Sequence, residues 1–156
     1  MNQVAAPIIS KSEVMPGVYL IWLESPQIAS EAQPGQFIMV HCGEQSLLRR
    51  PLSIHQIADN TKLALLFTLV GKGTHWLAQC QIGDSLDLLG PLGNGYRIYP
   101  SSHNLLLVAG GIGIAPLCFL AQKALGGGYS VTLLLGASTA SQLYPGKFLT
   151  SKIELV

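Results

Sequence analysis

Leu47-Leu48-Arg49-Arg50-Pro51-Leu52-Ser53-Ile54-His55 is the stretch on which the reading of this chain turns. It sets two adjacent arginines, out of nine Lys and Arg in all, directly before a proline and a strand-like run. An arginine presents a planar fork of donors that matches a phosphate, while Pro51 fixes its own φ and removes a backbone donor. One reading is an anion clamp beside a flat apolar seat. The other is an edge strand that opens on proline and carries a charged residue to discourage pairing. The stretch by itself leaves both readings open.

On both sides of this stretch the pattern is of short strands with turn punctuation. A first strand over residues 6–13 is separated by Val14-Met15-Pro16-Gly17 from residues 18–23, whose continuous apolar character predicts burial on both faces. Gln33-Pro34-Gly35-Gln36 turns into a strand over residues 37–42, and a turn at Ala58-Asp59-Asn60-Thr61 leads into residues 62–70. Strands at this spacing predict an antiparallel barrel. Gly71-Lys72-Gly73-Thr74 breaks the pattern and opens a helix over residues 75–81, where glycines expose backbone N–H groups to an anion. Thr74 there can cap the helix or donate to a phosphate. After a strand over residues 86–89, the turn formers of Gly90-Pro91-Leu92-Gly93-Asn94-Gly95 mark a boundary, which places the domain junction near Pro100.

Beyond that junction, residues 104–109 form an apolar strand, residues 110–116 a glycine turn, residues 117–125 a helix, and residues 131–135 a second apolar strand. This is a βαβ unit with parallel strands and a crossover helix. Its turn, Gly111-Ile112-Gly113-Ile114-Ala115-Pro116, departs from the dinucleotide fingerprint because proline stands at the last position.

Composition narrows the field. With 49% hydrophobic and only 11% charged residues, disorder is excluded and a large core is expected. A net charge of +1 without a basic patch removes electrostatic support for nucleic-acid binding. The uncharged run over residues 105–121 falls short of the roughly 20 residues a membrane span needs and is broken by glycines and proline. No membrane association and, with no leader visible in the first ten residues, a cytoplasmic location are expected. Cys42, Cys80 and Cys118 are too far apart for a Cys-x-x-Cys site and read as small buried hydrophobes. The histidines at 41, 55, 75 and 103 read as structural or exposed, so neither catalytic residues nor metal ligands are expected.

Arg50-Pro51-Leu52-Ser53 resembles the motif Arg-x-(aromatic or aliphatic)-Ser/Thr with which ferredoxin-reductase-like flavoproteins hold FAD at the end of a barrel strand. With the segments 71–78, 83–96 and 105–117, in order along nearly the whole chain, it is similar to one branch of that superfamily, the electron-transfer subunits of type B dihydroorotate dehydrogenase. The resemblance implies an all-β antiparallel FAD-binding barrel over residues 1–99. An incomplete α/β, Rossmann-like NAD-binding domain would follow over residues 100–156. It implies that FAD is held by Arg50, Pro51, Leu52 and Ser53, with Ser53 near flavin N5 and Gly73 and Thr74 as a second diphosphate contact. Leu66, Phe67 and Thr68 would flank the ribityl chain and the isoalloxazine, unless they are plain core. NAD would dock on Gly111, Gly113 and Pro116, a Gly-x-Gly-x-x-Pro turn that resembles the superfamily's own. The implied partner is an FMN-containing dihydroorotate-oxidising catalytic subunit in a heterotetramer, with a [2Fe-2S] cluster between the flavins.

Two gaps qualify that picture. The cysteines that hold the cluster near the C-terminus of full-length family members have no counterpart here, and the α/β unit lacks further βα repeats, so the chain reads as truncated before the iron-sulfur segment. After Leu135 neither an acidic residue nor an arginine stands where a ribose or its 2′-phosphate would be read, so NAD rather than NADP rests on the resemblance alone. The expected role is thus that of an oxidoreductase subunit passing electrons to NAD rather than the substrate-oxidising one, in pyrimidine biosynthesis. Two other roles remain open, a subunit of a ferredoxin:NADP oxidoreductase or sulfide dehydrogenase and a flavin-free assembly module.

Overall fold

The computed structural model describes residues 1–44 and 46–156. Nine strands and three α-helices follow in the order β1 (Asn2–Met15), β2 (Val18–Glu24), α1 (Pro26–Ala29), β3 (Phe37–Val40), β4 (Arg50–Ala58), β5 (Lys62–Thr68), α2 (Lys72–Gln79), β6 (Ser85–Leu92), β7 (Asn104–Gly110), α3 (Ile114–Gly126), β8 (Ser130–Gly136) and β9 (Glu154–Leu155). The first six strands close into an antiparallel barrel in the order β1-β2-β5-β4-β3-β6, and β7-β8-β9 form a parallel sheet.

Barrel closure explains why β1 is longer than the expected 6–13. Its first half pairs with β6, from Asn2 opposite Gly90 to Pro7 opposite Ser85, and its second half pairs with β2, from Ile8 opposite Leu23 to Met15 opposite Val18. One strand thereby serves both neighbours. Both faces of β2 are covered, as its apolar run predicts: Ile21 and Leu23 join the barrel interior, while Val18 and Leu20 join a second core outside it. Strand periodicity sends alternate residues to opposite faces, so an uninterrupted apolar strand needs two cores. The short α1, which has no counterpart in the sequence reading, adds Ile28 to the barrel core.

The second core is shared. Met15, Val18, Leu20, Ala64 and Leu66 from the barrel pack with Leu107, Ala109, Ile114, Cys118, Ala121 and Leu133 of the βαβ unit. The α/β segment is thus built onto the outer wall of β2 and β5, with α3 lying across β4. Both helices start three residues earlier than expected. In α2 the side chain of Thr74 folds back onto the first turn instead of capping from outside it, and in α3 Pro116 sits within the first turn, where no intrahelical N–H is needed. The other face of β7 is open, with Leu106 and Val108 63% and 67% exposed. No helix among the described residues is long and apolar enough to cross a membrane.

Candidate functional site

The two arginines that look alike in sequence have separate fates. Arg49 turns back onto β6, its Nη2 donating to Asp87 Oδ2 at 2.5 Å and its Nη1 to the Asp87 carbonyl at 3.0 Å. That guanidinium, helped by Gln3, holds the Asp87 carboxyl below its usual range against a smaller opposing effect of burial. Arg50, the first residue of β4, is exposed and has no acidic partner among the described residues. Its side chain runs alongside Gly73: a Cβ at that glycine would stand 3.0 Å from Arg50 Nε and 3.1 Å from Arg50 Cγ. The strand and the helix start that the sequence singled out separately are therefore in contact, and a side chain at Gly73 would require the Arg50 side chain to shift.

The first turn of α2 completes this corner. Thr74 Oγ1 accepts from the backbone N–H of Val70 at 3.0 Å and of Gly71 at 3.2 Å, and donates to the Gly71 carbonyl at 3.0 Å. Of the two roles open to Thr74 in sequence, the structure displays the helix-end one. The N–H groups of Lys72 and Gly73 lie in the first turn, which has no intrahelical acceptors, beside the Arg50 and Lys72 side chains. They form one wall of a cavity of about 750 Å³ whose other walls are Cys42, Gly43, Glu44, Ser46, the exposed Leu47 and Leu48, and Trp76. Cationic fork, helix N-terminus and apolar rim are a donor set for a phosphorylated ligand with a flat apolar part.

Farther along β4, Pro51 lies opposite Met39, Leu52 opposite Ile38 and Ser53 opposite Phe37. Leu52 packs partly against the barrel core, and the half-buried Ser53 hydroxyl makes no hydrogen bond among the described residues. Leu66 and Phe67 are each only 2% exposed, Leu66 in the second core and Phe67 inside the barrel, stacked on Tyr19 at 6.0 Å. Both side chains are packed in cores, because neighbouring strand residues point to opposite faces and here each face is a core. Thr68 alone of the three reaches a cavity.

That second cavity, about 560 Å³, lies where the barrel meets the parallel sheet. Met15, Pro16, Val18 and Thr68 line it from the barrel, Gly110, Gly111 and Ile112 from the glycine turn, and Gly136, Ala137, Ser138 and Gln142 from the end of β8. Gly111 has φ +53°, in the left-handed region that favours glycine, and a Cβ at Gly110, Gly111 or Gly113 would meet nothing within 4 Å. The backbone is thus open to close approach at the carboxyl end of a parallel strand, the usual crevice for ligands in open α/β sheets. Gly113 and Pro116, expected beside Gly111, do not line it.

One buried group escaped the sequence reading, where His55 was one of four undistinguished histidines. It is 0% exposed, with Nδ1 2.8 Å from the Ala115 carbonyl of α3 and Nε2 2.8 Å from the Tyr144 hydroxyl. Burial pushes its pKa down to about 4 against a smaller effect of the Ala115 carbonyl, so the imidazole is neutral at working pH. The Cys118 thiol beside Tyr144 is pushed up to about 12, and the tyrosine upward as well, both by burial. All three cysteines are buried and free, and no group of metal-ligating side chains occurs among the described residues.

The architecture is shared with solved reductases. An NADH-dependent reduced ferredoxin:NADP oxidoreductase described for flavin-based electron bifurcation is 32% identical, with TM-score 0.87, and the match covers 99% of this chain and 56% of that one. Phthalate dioxygenase reductase, at 19% identity and TM-score 0.79 over 99% of this chain and 51% of its own, has the same fold. No family model matches the chain. Barrel, βαβ unit and these likenesses define the class: a ferredoxin-reductase-like fold of the kind that serves electron transfer. Within it, the chain is a homologue of the electron-transfer subunits of dihydroorotate dehydrogenase B (NAD(+)). It is 42% identical to that of Desulforamulus reducens over 155 residues, 97% of this chain and 59% of the relative. The subunit of Geobacillus thermodenitrificans is 37% identical over 147 residues, 90% of this chain and 57% of its own length. The chain therefore spans a little over half the length of these relatives.

Proposed function

We propose that the chain is the cofactor-carrying part of an electron-transfer subunit that links dihydroorotate oxidation in an FMN-containing catalytic subunit to NAD, in the cytoplasm and in pyrimidine biosynthesis. The observation that carries this reading is the meeting of Arg50 and Gly73 in one cavity wall, with Arg50 free of acidic partners among the described residues. Arg49, by contrast, is engaged by Asp87. FAD, when bound, supplies the exchange between hydride transfer and single-electron steps, which no amino-acid side chain here can perform.

The residues present fit that group. Arg50 and the first-turn N–H groups of α2 would neutralise its diphosphate, with Lys72 adding charge, and Leu47, Leu48 and Trp76 would cover an apolar ring. Ser53, with an unengaged hydroxyl, would hydrogen-bond near the flavin's reactive nitrogen. The nicotinamide nucleotide would lie in the crevice between Thr68 and the turn at Gly110 to Ile112, where the open glycine backbone receives a diphosphate. The protein's part is binding and placement, and no acid or base is required of it. The [2Fe-2S] cluster and the heterotetramer belong to the full-length relatives by this reading, with the cluster's ligands supplied outside this chain.

Purified chain, released from its cofactor by heat and analysed by chromatography, should yield FAD. FMN alone would overturn the assignment of two phosphate contacts, and no flavin at all would favour the assembly-module role. The 32% identity to a ferredoxin:NADP oxidoreductase supports a second reading, electron transfer to or from ferredoxin on the same core. Co-purification with a dihydroorotate-oxidising subunit separates the two.

A further inference from the structure

Three consecutive residues of β4 reach across to the α/β segment. His55 bonds both Ala115 and Tyr144, Gln56 Nε2 donates to the Phe148 carbonyl at 3.1 Å, and the Ile57 carbonyl accepts from Gln122 Nε2 at 3.1 Å. His55 stands at an irregularity in the ladder. Ile54 pairs with Leu65 and Gln56 with Ala64, so His55 is the extra residue of a β-bulge. Alternation by itself sends Ile54 into the barrel core and the fully buried His55 outward against α3, and the extra residue keeps Gln56 on that outward side before Ile57 returns to the core.

The hydrogen-bond directions follow from chemistry. The Ala115 carbonyl can only accept, so His55 Nδ1 carries the proton; in the neutral ring Nε2 then accepts, and Tyr144 O–H donates to it. Burial keeps the ring in this neutral form. Ala115 is in the first turn of α3, directly after the glycine turn, and Tyr144 comes from the segment beyond β8. One imidazole therefore ties the strand that starts with Arg50 to both segments that border the nucleotide crevice.

We propose that His55 and Tyr144 are positioning residues: a buried latch that holds the glycine turn and the start of α3 at a fixed distance from the barrel strand bearing Arg50 and Ser53. Its consequence for electron transfer rests on the FAD and NAD reading above, because Arg50 of β4 lines one cavity and the glycine turn before Ala115 lines the other. Tyr144→Phe removes the donated bond and keeps the ring, which sits edge-on to His55 at 5.4 Å. The loss leaves a buried ring nitrogen without a donor, a change on the order of tenfold in a local opening equilibrium.

The test is amide hydrogen exchange on the full chain, before flavin is added, so that it reads the latch whether or not FAD is the cofactor. Tyr144→Phe should speed exchange about tenfold in peptides covering residues 110–118 and leave β1 and β6 as protected as in the parent. His55→Gln, which strips the ring from the other side, should reproduce that localised effect. In the flavin-loaded chain the same variants should raise the half-saturating NADH concentration at unchanged FAD content. Equal acceleration throughout the barrel would reduce the pair to general stability, and unchanged exchange would abolish the latch. Localised exchange with an unchanged NADH requirement would overturn the positioning role, whereas failure of the flavin assignment would be read separately, from cofactor content.

Discussion

At the scale of the residue, neighbours of the same type divide the labour. Arg49 is tied to Asp87, with 21% and 41% of their side chains exposed, and such a half-exposed pair contributes about 0–1 kcal/mol. Arg50 is free to meet a ligand, and charge-assisted bonds of about 1.5–3 kcal/mol translate into roughly ten- to hundredfold in affinity. Arg50→Ala should therefore lower FAD affinity by that factor, measured by fluorescence titration of the apoprotein, while Arg49→Ala costs a little stability and leaves binding close to the parent. Equal losses would mean that the wrong arginine has been assigned. His55 carries a pH signature. Its folded pKa of about 4 lies below the ordinary 6.5, so the stability it confers is complete above pH 6.5 and is lost as pH falls toward 4. The full change is on the order of 3 kcal/mol. Urea titrations at pH 7.5 and 4.5 should show that slope in the parent chain and a flatter one in His55→Gln.

At the scale of the element, the decisive contact is between the start of β4 and the start of α2. Gly73 leaves room for the Arg50 side chain, since a methyl group 3.0 Å from Arg50 Nε is tighter than ordinary van der Waals contact and would push that side chain aside. Gly73→Ala should displace the guanidinium from the helix N-terminus. The expected result is FAD depletion in the purified protein, read from the ratio of flavin to protein absorbance, with a melting temperature within a few degrees of the parent. A parent-like flavin ratio would place the phosphate elsewhere. Gly43 is a second such point, with φ +84° and a Cβ position 2.7 Å from Trp76 Nε1, so the apolar end of the same cavity also depends on a bare backbone.

At the scale of the whole molecule, the expected junction near Pro100 is a boundary in sequence but not between independent cores. Removing residues 100–156 would uncover Val18, Leu20, Ala64 and Leu66 on the barrel's outer wall and leave His55 without either partner. Apolar burial is worth about 25 cal/mol per Å² and adding a bare patch of this kind invites association. The fragment 1–99 should therefore close as a barrel yet melt below the full chain and bind a hydrophobic dye that the full chain does not. A fragment as stable and as inert to dye as the parent would show that the second core contributes nothing to the first domain.

Apart from the short α1, the sequence by itself determined the kind and order of the main elements, because strand alternation, glycine turns and the βαβ pattern are local signals that neighbouring residues carry. It also singled out the strand start and the helix start on which the phosphate-binding proposal rests, because an arginine and glycines at such positions are residue types suited to charge and backbone rather than packing. Only the tertiary structure decided which arginine is free, since that depends on β6 bringing Asp87 within reach of Arg49, one strand beyond β3. Folding likewise packed the side chains of Leu66 and Phe67 into cores, because the βαβ unit covers one face of β5 and the closed barrel the other. And it gave His55 a role no pattern announces: the histidine faces outward next to the inward Ile54, and Ala115 and Tyr144, 60 and 89 residues away along the chain, arrived to satisfy its two nitrogens. Contacts at that separation are products of chain closure, and a linear string of residues holds no local mark of them.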